Sequence, residues 1–327
     1  GHTGFKGAWL SEWLLFLGAK VMGVSLNVPT DPSLFLSLNL SDRMDDYRCD
    51  IRDIESLLTI VQREAPEIVF HLAAQPIVTT SYEDPKTTFD TNLGGSINVM
   101  EAVRRTPSVQ SLIMITSDKC YHNVEWPFGY RETDRLGGKD PYSASKACAE
   151  LAISAYYDSF FKDSTQCIAS VRAGNVIGGG DWAMNRIVPD CMRAWIKKMP
   201  VEVRAPQATR PWQHVLEPLS GYLLLASKLD ASISGQAYNF GPNASVNTSV
   251  GDLIEGLSVK WPNASIHVNS SQIKHHEAGL LKLSCDKVLH DLKWLPTLQL
   301  EQTIAFTSEW YLAYSENKDM ALFTQHQ

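Results

Sequence analysis

A chain of 327 residues with 44% apolar side chains can bury one large core or two smaller ones, and it lacks the polar bias of a disordered polymer. Its formal net charge of −7 offers no electrostatic footprint for nucleic acid or an anionic membrane surface. No apolar run approaches the ~20 residues that span a bilayer and no secretory signal is visible, so a cytoplasmic protein is expected.

The chain opens on Gly1-His2-Thr3-Gly4-Phe5-Lys6-Gly7, with glycines three apart, and runs straight into Ala8–Leu17, where Trp9, Trp13, Phe16 and Leu17 recur at helical spacing. A glycine turn opening a helix lets a diphosphate approach bare backbone N–H groups at the positive end of the helix dipole. Such a turn is normally entered from a buried strand. This sequence starts on the turn without an initiator Met, so it is expected to be clipped at its N-terminus. Val21–Leu26 reads as a strand. Asn27 follows it about twenty residues after the last glycine, where a ribose-binding carboxylate is expected. An amide there can still bond a ribose, but it does not separate NAD from NADP.

Glu67–Ala74 is a compact apolar strand ending in small residues, Ser96–Val103 is helical, and Ser111–Thr116 is a buried-type strand that ends on Ser117-Asp118-Lys119. Tyr142–Phe161 reads as one long helix and Cys167–Arg172 as a further strand. This alternation predicts an α/β fold, a Rossmann-like doubly wound parallel sheet covered on both faces. Ligands on such sheets bind outside the carboxyl ends of the strands, which puts Gly4, Ala73, Ser117 and Asn175 along one rim. After Gly178-Gly179-Gly180 the alternation fades, and Gln236–Gly241 looks like a late strand returning to the sheet. Residues 1–180 are therefore expected to form the dinucleotide domain, and 181–327 mainly a smaller C-terminal α/β substrate domain. Cys49, Cys120, Cys148, Cys167, Cys191 and Cys285 are scattered without metal-ligand spacing, which predicts reduced thiols and no metal.

Tyr142 and Lys146 stand one helical turn apart on one face. An ammonium near a phenol favours the phenolate, so Tyr142 is a candidate base far below its free pKa of ~10. Taken alone, the same spacing equally describes two solvated residues on a helix. Ser117-Asp118-Lys119 puts a hydroxyl, a carboxylate and an amine at a strand's carboxyl end, costly to bury unless paired. A solvated strand exit is the plainer alternative; a cleft shared with Tyr142 and Lys146 is the functional one.

The glycine spacing, Leu72-Ala73-Ala74, Tyr142-x-x-x-Lys146 and Arg172-Ala173-Gly174-Asn175-Val176 together resemble the extended short-chain dehydrogenase/reductases. Gly1–Gly7, Thr116–Tyr121, Gly178-Gly179-Gly180-Asp181-Trp182, Arg210–Val215 and His276-Glu277-Ala278 are similar, more narrowly, to the CDP-glucose 4,6-dehydratase family. The likeness covers nearly the whole chain. It departs in the clipped start, in Asn27 where an aspartate is often seen, and in a short Phe161-to-Cys167 connection.

The resemblance implies a lyase with NAD⁺ used and regenerated in each cycle: C4 of the sugar is oxidised, water leaves across C5 and C6, and hydride returns to C6. Tyr142 would take the 4-hydroxyl proton, Lys146 would lower its pKa and hold the nicotinamide ribose, and Ser117 would bond the same hydroxyl. Asp118 is the implied acid for the 6-hydroxyl. Lys119 is either the base at C5, if neutral, or a fixed charge that stabilises the enolate. For the cofactor, Gly1, Gly4, Phe5, Lys6 and Gly7 would meet the pyrophosphate, and Asn27, Asp50 and Ile51 the adenosine side. Leu72, Ala73, Ala74 and Asn92 would follow the nicotinamide half. Asn175, Arg210 and His276 are implied contacts of the sugar nucleotide; Arg186 and His214 stay ambiguous. A dTDP- or GDP-sugar dehydratase, a nucleotide-sugar epimerase and a non-catalytic dinucleotide sensor remain alternatives. The family commonly pairs through two long helices, which makes Ser96–Arg105 and Tyr142–Phe161 the candidates for a homodimer or a dimer of dimers. The resemblance also implies a place in making deoxysugars for bacterial surface polysaccharide such as O-antigen.

Overall fold

The computed structural model describes residues 1–203, 205–243, 246, 248–261, 264–268 and 280–327. A four-stranded parallel sheet lies at the centre, in the order Ala237–Phe240, Cys167–Ala173, Ser111–Ile115, Ile68–His71. Ile113 stands opposite Phe70 on one side and Ala169 on the other, and Ala237 opposite Ser170. A second parallel pair, Met22–Ser25 with Asp45–Arg48, is tied to this sheet by the first residue. Gly1 N donates to the Val24 carbonyl, and a Cβ built on Gly1 would run into the backbone of Leu72 and Ala73.

Central position explains the composition of Ser111–Ile115, in which every residue is buried. Successive side chains point to opposite faces, so both faces of a covered strand must be apolar. Ile113 and Ile115 enter one core with Trp9, Val171, Trp182 and Trp310, whereas Leu112 and Met114 enter another with Leu57, Met100, Ile153 and Phe161. The first of these cores runs from Ala8 to Met320, through both halves of the chain.

Three helices differ in their bounds from expectation. The first runs from Phe5, not Ala8, to Phe16, because Gly4 in extended backbone is its cap. Ser96–Arg104 is preceded by a π-helical stretch, Asp90–Gly95. The long helix is α-helical over Pro141–Tyr156 and then widens into a π-helical turn, Tyr157–Phe161. That wider turn lays Tyr157 against Gly235 and sends Phe161 into the core. No periodicity announces the Asp45–Arg48 strand, because it is a polar edge with a single neighbour. Among the described residues no helix is long and apolar enough to cross a membrane, and no group of three metal-ligating side chains occurs. All six cysteines are free thiols.

Gly179 carries a stability prediction. A Cβ built there lies 1.9 Å from Cγ of Trp310, a side chain with no exposure at all. Gly179→Ala is expected to cost about 1–3 kcal/mol or more by overpacking. A denaturant titration against the parent reads this directly; equal midpoints would contradict it.

Candidate active site

The carboxyl ends of the central strands open into one cleft of about 1140 Å³, and Gly4, Ala73, Ser117 and Asn175 all line it. At one end the glycine turn closes so tightly that side chains are excluded. A Cβ on Gly1 would lie 2.5 Å from Ala73 N, and one on Gly7 2.1 Å from the Gly1 carbonyl oxygen. Gly4 caps the Phe5–Phe16 helix without a side-chain bond, which leaves its first N–H groups to a ligand. Asn27, Asp50 and Ile51 line the same region. The Asn27 carbonyl accepts from Thr3 Oγ1 at 2.6 Å, and the Asp50 carboxylate from Arg52 Nη2 at 2.6 Å. Leu72, Ala73 and Ala74 continue the wall toward Lys146.

Asn92 does not line the cleft. It is buried behind it, where Oδ1 accepts from Gln75 N at 2.8 Å and Nδ2 donates to Ser145 Oγ at 2.9 Å. Its place is to hold the Ala74–Gln75 wall against the long helix, since a buried amide must find partners on both sides. His276 lies outside the described residues.

The reacting end is built by two elements. Asp140 caps the long helix, accepting from Ser143 N at 2.9 Å and Ser143 Oγ at 2.6 Å, with Pro141 in the first helical position. This start puts Tyr142 in the first turn and Lys146 one turn later, both buried and both on the cleft. From the end of Ser111–Ile115, the Ser117 hydroxyl donates to Asp118 Oδ1 at 3.1 Å and accepts from Lys119 N at 3.2 Å. It also lies close enough to the Tyr142 phenol to stabilise its anion. Asp118 Oδ2 is buried without a partner, as is Asn175 Oδ1. Orphan oxygens on a cleft wall are sites for a ligand's donors.

The electrostatics revise one expectation. Burial pushes the Tyr142 phenol up to about 12 and the Asp118 charge adds to this, while Ser117 and the charge of Arg186 pull the other way. Lys146 is not among the groups that set it. Arg186, left ambiguous by sequence, is thus the protein cation acting on Tyr142; it is held by Asp181 at 3.0 Å. Burial pulls Lys146 down to about 8, against the opposing charge of Glu150. Lys6, expected at the pyrophosphate, also feels Arg186, Asp118 and Lys146, and burial brings it to about 8. Arg210 lines the cleft from a short antiparallel pair, Thr209–Arg210 with Thr248–Ser249. His214 is buried away from the cleft, packed edge-on against Trp9 and Phe306. The Asp181–Arg186 pair and Gln75 escaped sequence reasoning, although the charges following the triple glycine were a visible signal.

A family model described as GDP-mannose 4,6 dehydratase matches residues 1–307. The CDP-glucose 4,6-dehydratase of Salmonella typhimurium strain LT2 is 43% identical over 334 residues, covering 100% of this chain and 93% of that protein. Among solved structures, the UDP-glucose 4-epimerase of Thermus thermophilus in complex with NAD aligns with a TM-score of 0.83 at 24% identity, over 95% of this chain and 97% of that one. The dTDP-glucose 4,6-dehydratase of Streptomyces venezuelae, solved with NAD bound, aligns at 0.80 and 19% identity, over 98% of each chain. At such identities the two structures speak for the fold alone.

Proposed function

The chain belongs to the GDP-mannose 4,6 dehydratase family, and from that premise we propose that it is a hydro-lyase converting CDP-glucose to CDP-4-keto-6-deoxyglucose with NAD as cofactor. The observation that carries the reading is the meeting of Ser117, Asp118, Lys119, Tyr142 and Lys146 on one cleft whose far end is a side-chain-free glycine turn. The residues fit the cofactor. Uncapped N–H groups behind Gly4 suit a pyrophosphate, and Asn27 and Asp50 suit the adenosine side. Lys146, which makes no hydrogen bond or ion pair among the described residues, suits a ribose hydroxyl. The chemistry NAD supplies when bound is a reversible store for one hydride, taken at C4 and delivered at C6.

The protein's own groups move the protons. Tyr142 accepts the proton of the 4-hydroxyl, which Ser117 also bonds, and the positive charge of Arg186 favours the phenolate that this requires. The 4-keto group acidifies the C5 proton, so oxidation has to precede elimination. Lys119, on the cleft, takes that proton, and Asp118, one residue away with an unpartnered oxygen, gives one to the departing 6-hydroxyl. Asn175 and Arg210 hold the sugar diphosphate, the guanidinium matching phosphate oxygens with its fork. On this reading residues 1–180 serve NAD and 181–327 mainly the sugar nucleotide. A homodimer joined through the Ser96–Arg104 and Pro141–Tyr156 helices, with exposed Leu151 and Phe160 at or just beyond the second, completes it. Six free thiols and a soluble sugar-nucleotide substrate support a cytoplasmic place, upstream of deoxysugar assembly for a surface polysaccharide.

The test is to incubate the purified protein with NAD and CDP-, dTDP-, UDP- or GDP-glucose and follow the absorbance that 4-keto-6-deoxy sugars develop in alkali. A signal confined to CDP-glucose is expected. A signal with another nucleotide corrects the base specificity, and epimerised sugar without the chromophore would replace dehydration by epimerisation.

A further inference from the structure

Glu150 lies one helical turn beyond Lys146, on the side of the long helix that faces the sheet, and it is only 4% exposed. A buried carboxylate is tolerated only with partners for both oxygens. Glu150 has them, from one strand and from the residue that follows another. Oε1 accepts from the Thr116 hydroxyl, next to Ser117. Oε2 accepts from Ser170 Oγ at 2.9 Å and from Arg172 Nη2 at 2.7 Å, both on Cys167–Ala173, whose continuation carries Asn175. Arg172 is equally buried and is fixed in turn by Tyr121 OH at 2.8 Å and the Glu132 carbonyl at 3.0 Å.

Resting on the function proposed above, we infer that Glu150 is the positioning residue of the reaction. It locks the helix bearing Tyr142 and Lys146 in register with the strands bearing Ser117 and Asn175, and it keeps the Lys146 ammonium charged inside the cleft. The groups facing Lys146 make the second role specific. Glu150 comes from its own helix, Cys120 from the turn after Ser117, His71 from the Ile68–His71 strand and Lys6 from the first helix. Burial raises Cys120 well above the usual thiol range, and burial with the Lys146 charge takes His71 down to about 3, so both are neutral near pH 7. Lys6 repels. Glu150 is therefore the one anion among these neighbours. Burial pushes its own carboxyl up, yet Arg172, Thr116 and Ser170 more than offset this and keep it ionised.

The sign follows. Burial already brings Lys146 down to about 8 with Glu150 present, so losing the carboxylate lowers it further and Lys146 becomes neutral at a lower pH. Acylation of Lys146 by acetic anhydride across pH, read by peptide mass spectrometry on protein without added cofactor, reports its protonation directly. Alongside it, the alkaline limb of the turnover profile is recorded for each variant that retains a cooperative thermal melt. In Glu150→Gln both midpoints are expected to fall together by about one pH unit or more, while Glu150→Asp stays near the parent. Should Glu150→Gln fail to fold with Arg172 left unpaired, the double variant Glu150→Gln, Arg172→Gln removes both charges. It should show the same fall, since Arg172 is not among the groups acting on Lys146. An unchanged Lys146 midpoint in a folded variant overturns the inference. A parent protein that dehydrates no nucleotide sugar instead overturns the functional reading, and the acylation midpoint still judges Glu150.

Discussion

Tyr142→Phe is expected to lower turnover of the sugar nucleotide by roughly 10²–10⁴-fold, the contribution of one well-placed acid–base group. The substitution removes a single oxygen from a ring that is already buried in the cleft wall. Ser117 keeps its bonds to Asp118 and to Lys119 N, so the neighbouring geometry survives. The phenol stands near 12 because burial disfavours its anion, and Ser117 and Arg186 only partly relieve that. Below that value the proton is on the oxygen. Base strength must therefore come from Ser117 and the Arg186 charge, while Lys146 loses its own charge, and with it a hold on the ribose, above about 8, where activity should fall. The measurement is single-turnover reduction of the nicotinamide, followed by its absorbance, with substrate binding checked separately. A phenylalanine variant that reduces the cofactor at the parental rate would remove Tyr142 from the chemistry.

Lys119→Met separates the steps of the reaction. Oxidation at C4 uses Tyr142 and Ser117 and should proceed, so reduced cofactor is expected to accumulate. Loss of the C5 proton should slow by about 10²–10⁴-fold for want of its base. Product formation falls with it, and exchange of the C5 proton with deuterated solvent, followed by mass spectrometry of recovered sugar, falls in proportion. If Lys119 acts as a fixed charge instead, Lys119→Arg preserves exchange, because a guanidinium stabilises an enolate but cannot abstract a proton. Normal exchange in the methionine variant would move the base to another residue.

Much of this site was legible in the chain because its parts are local. Glycine spacing before a helix, a polar triplet at a strand's carboxyl end and a phenol one turn from an amine each depend on a few consecutive residues, and backbone geometry turns that spacing into direction. The order of α and β elements was readable for the same reason: periodicity is a property of neighbours in sequence. What stayed hidden depends on segments far apart. Asn92 reads, by resemblance, as a contact of the nicotinamide half until Gln75 and Ser145 surround it behind the cleft. Asp45–Arg48 reads as loop until Met22–Ser25 pairs with it.

By itself the sequence determined the parallel α/β plan, the glycine turn before the first helix and the identity of the polar groups that gather on the cleft, because these follow from short-range pattern and side-chain chemistry. Only the tertiary structure decided their charges. Tyr142 rises where a lysine one turn away was expected to lower it, and Arg186 and Glu150 become the charges that act on Tyr142 and Lys146. Desolvation and Coulomb forces depend on distance through space and on the water excluded, and neither is a property of position along a chain.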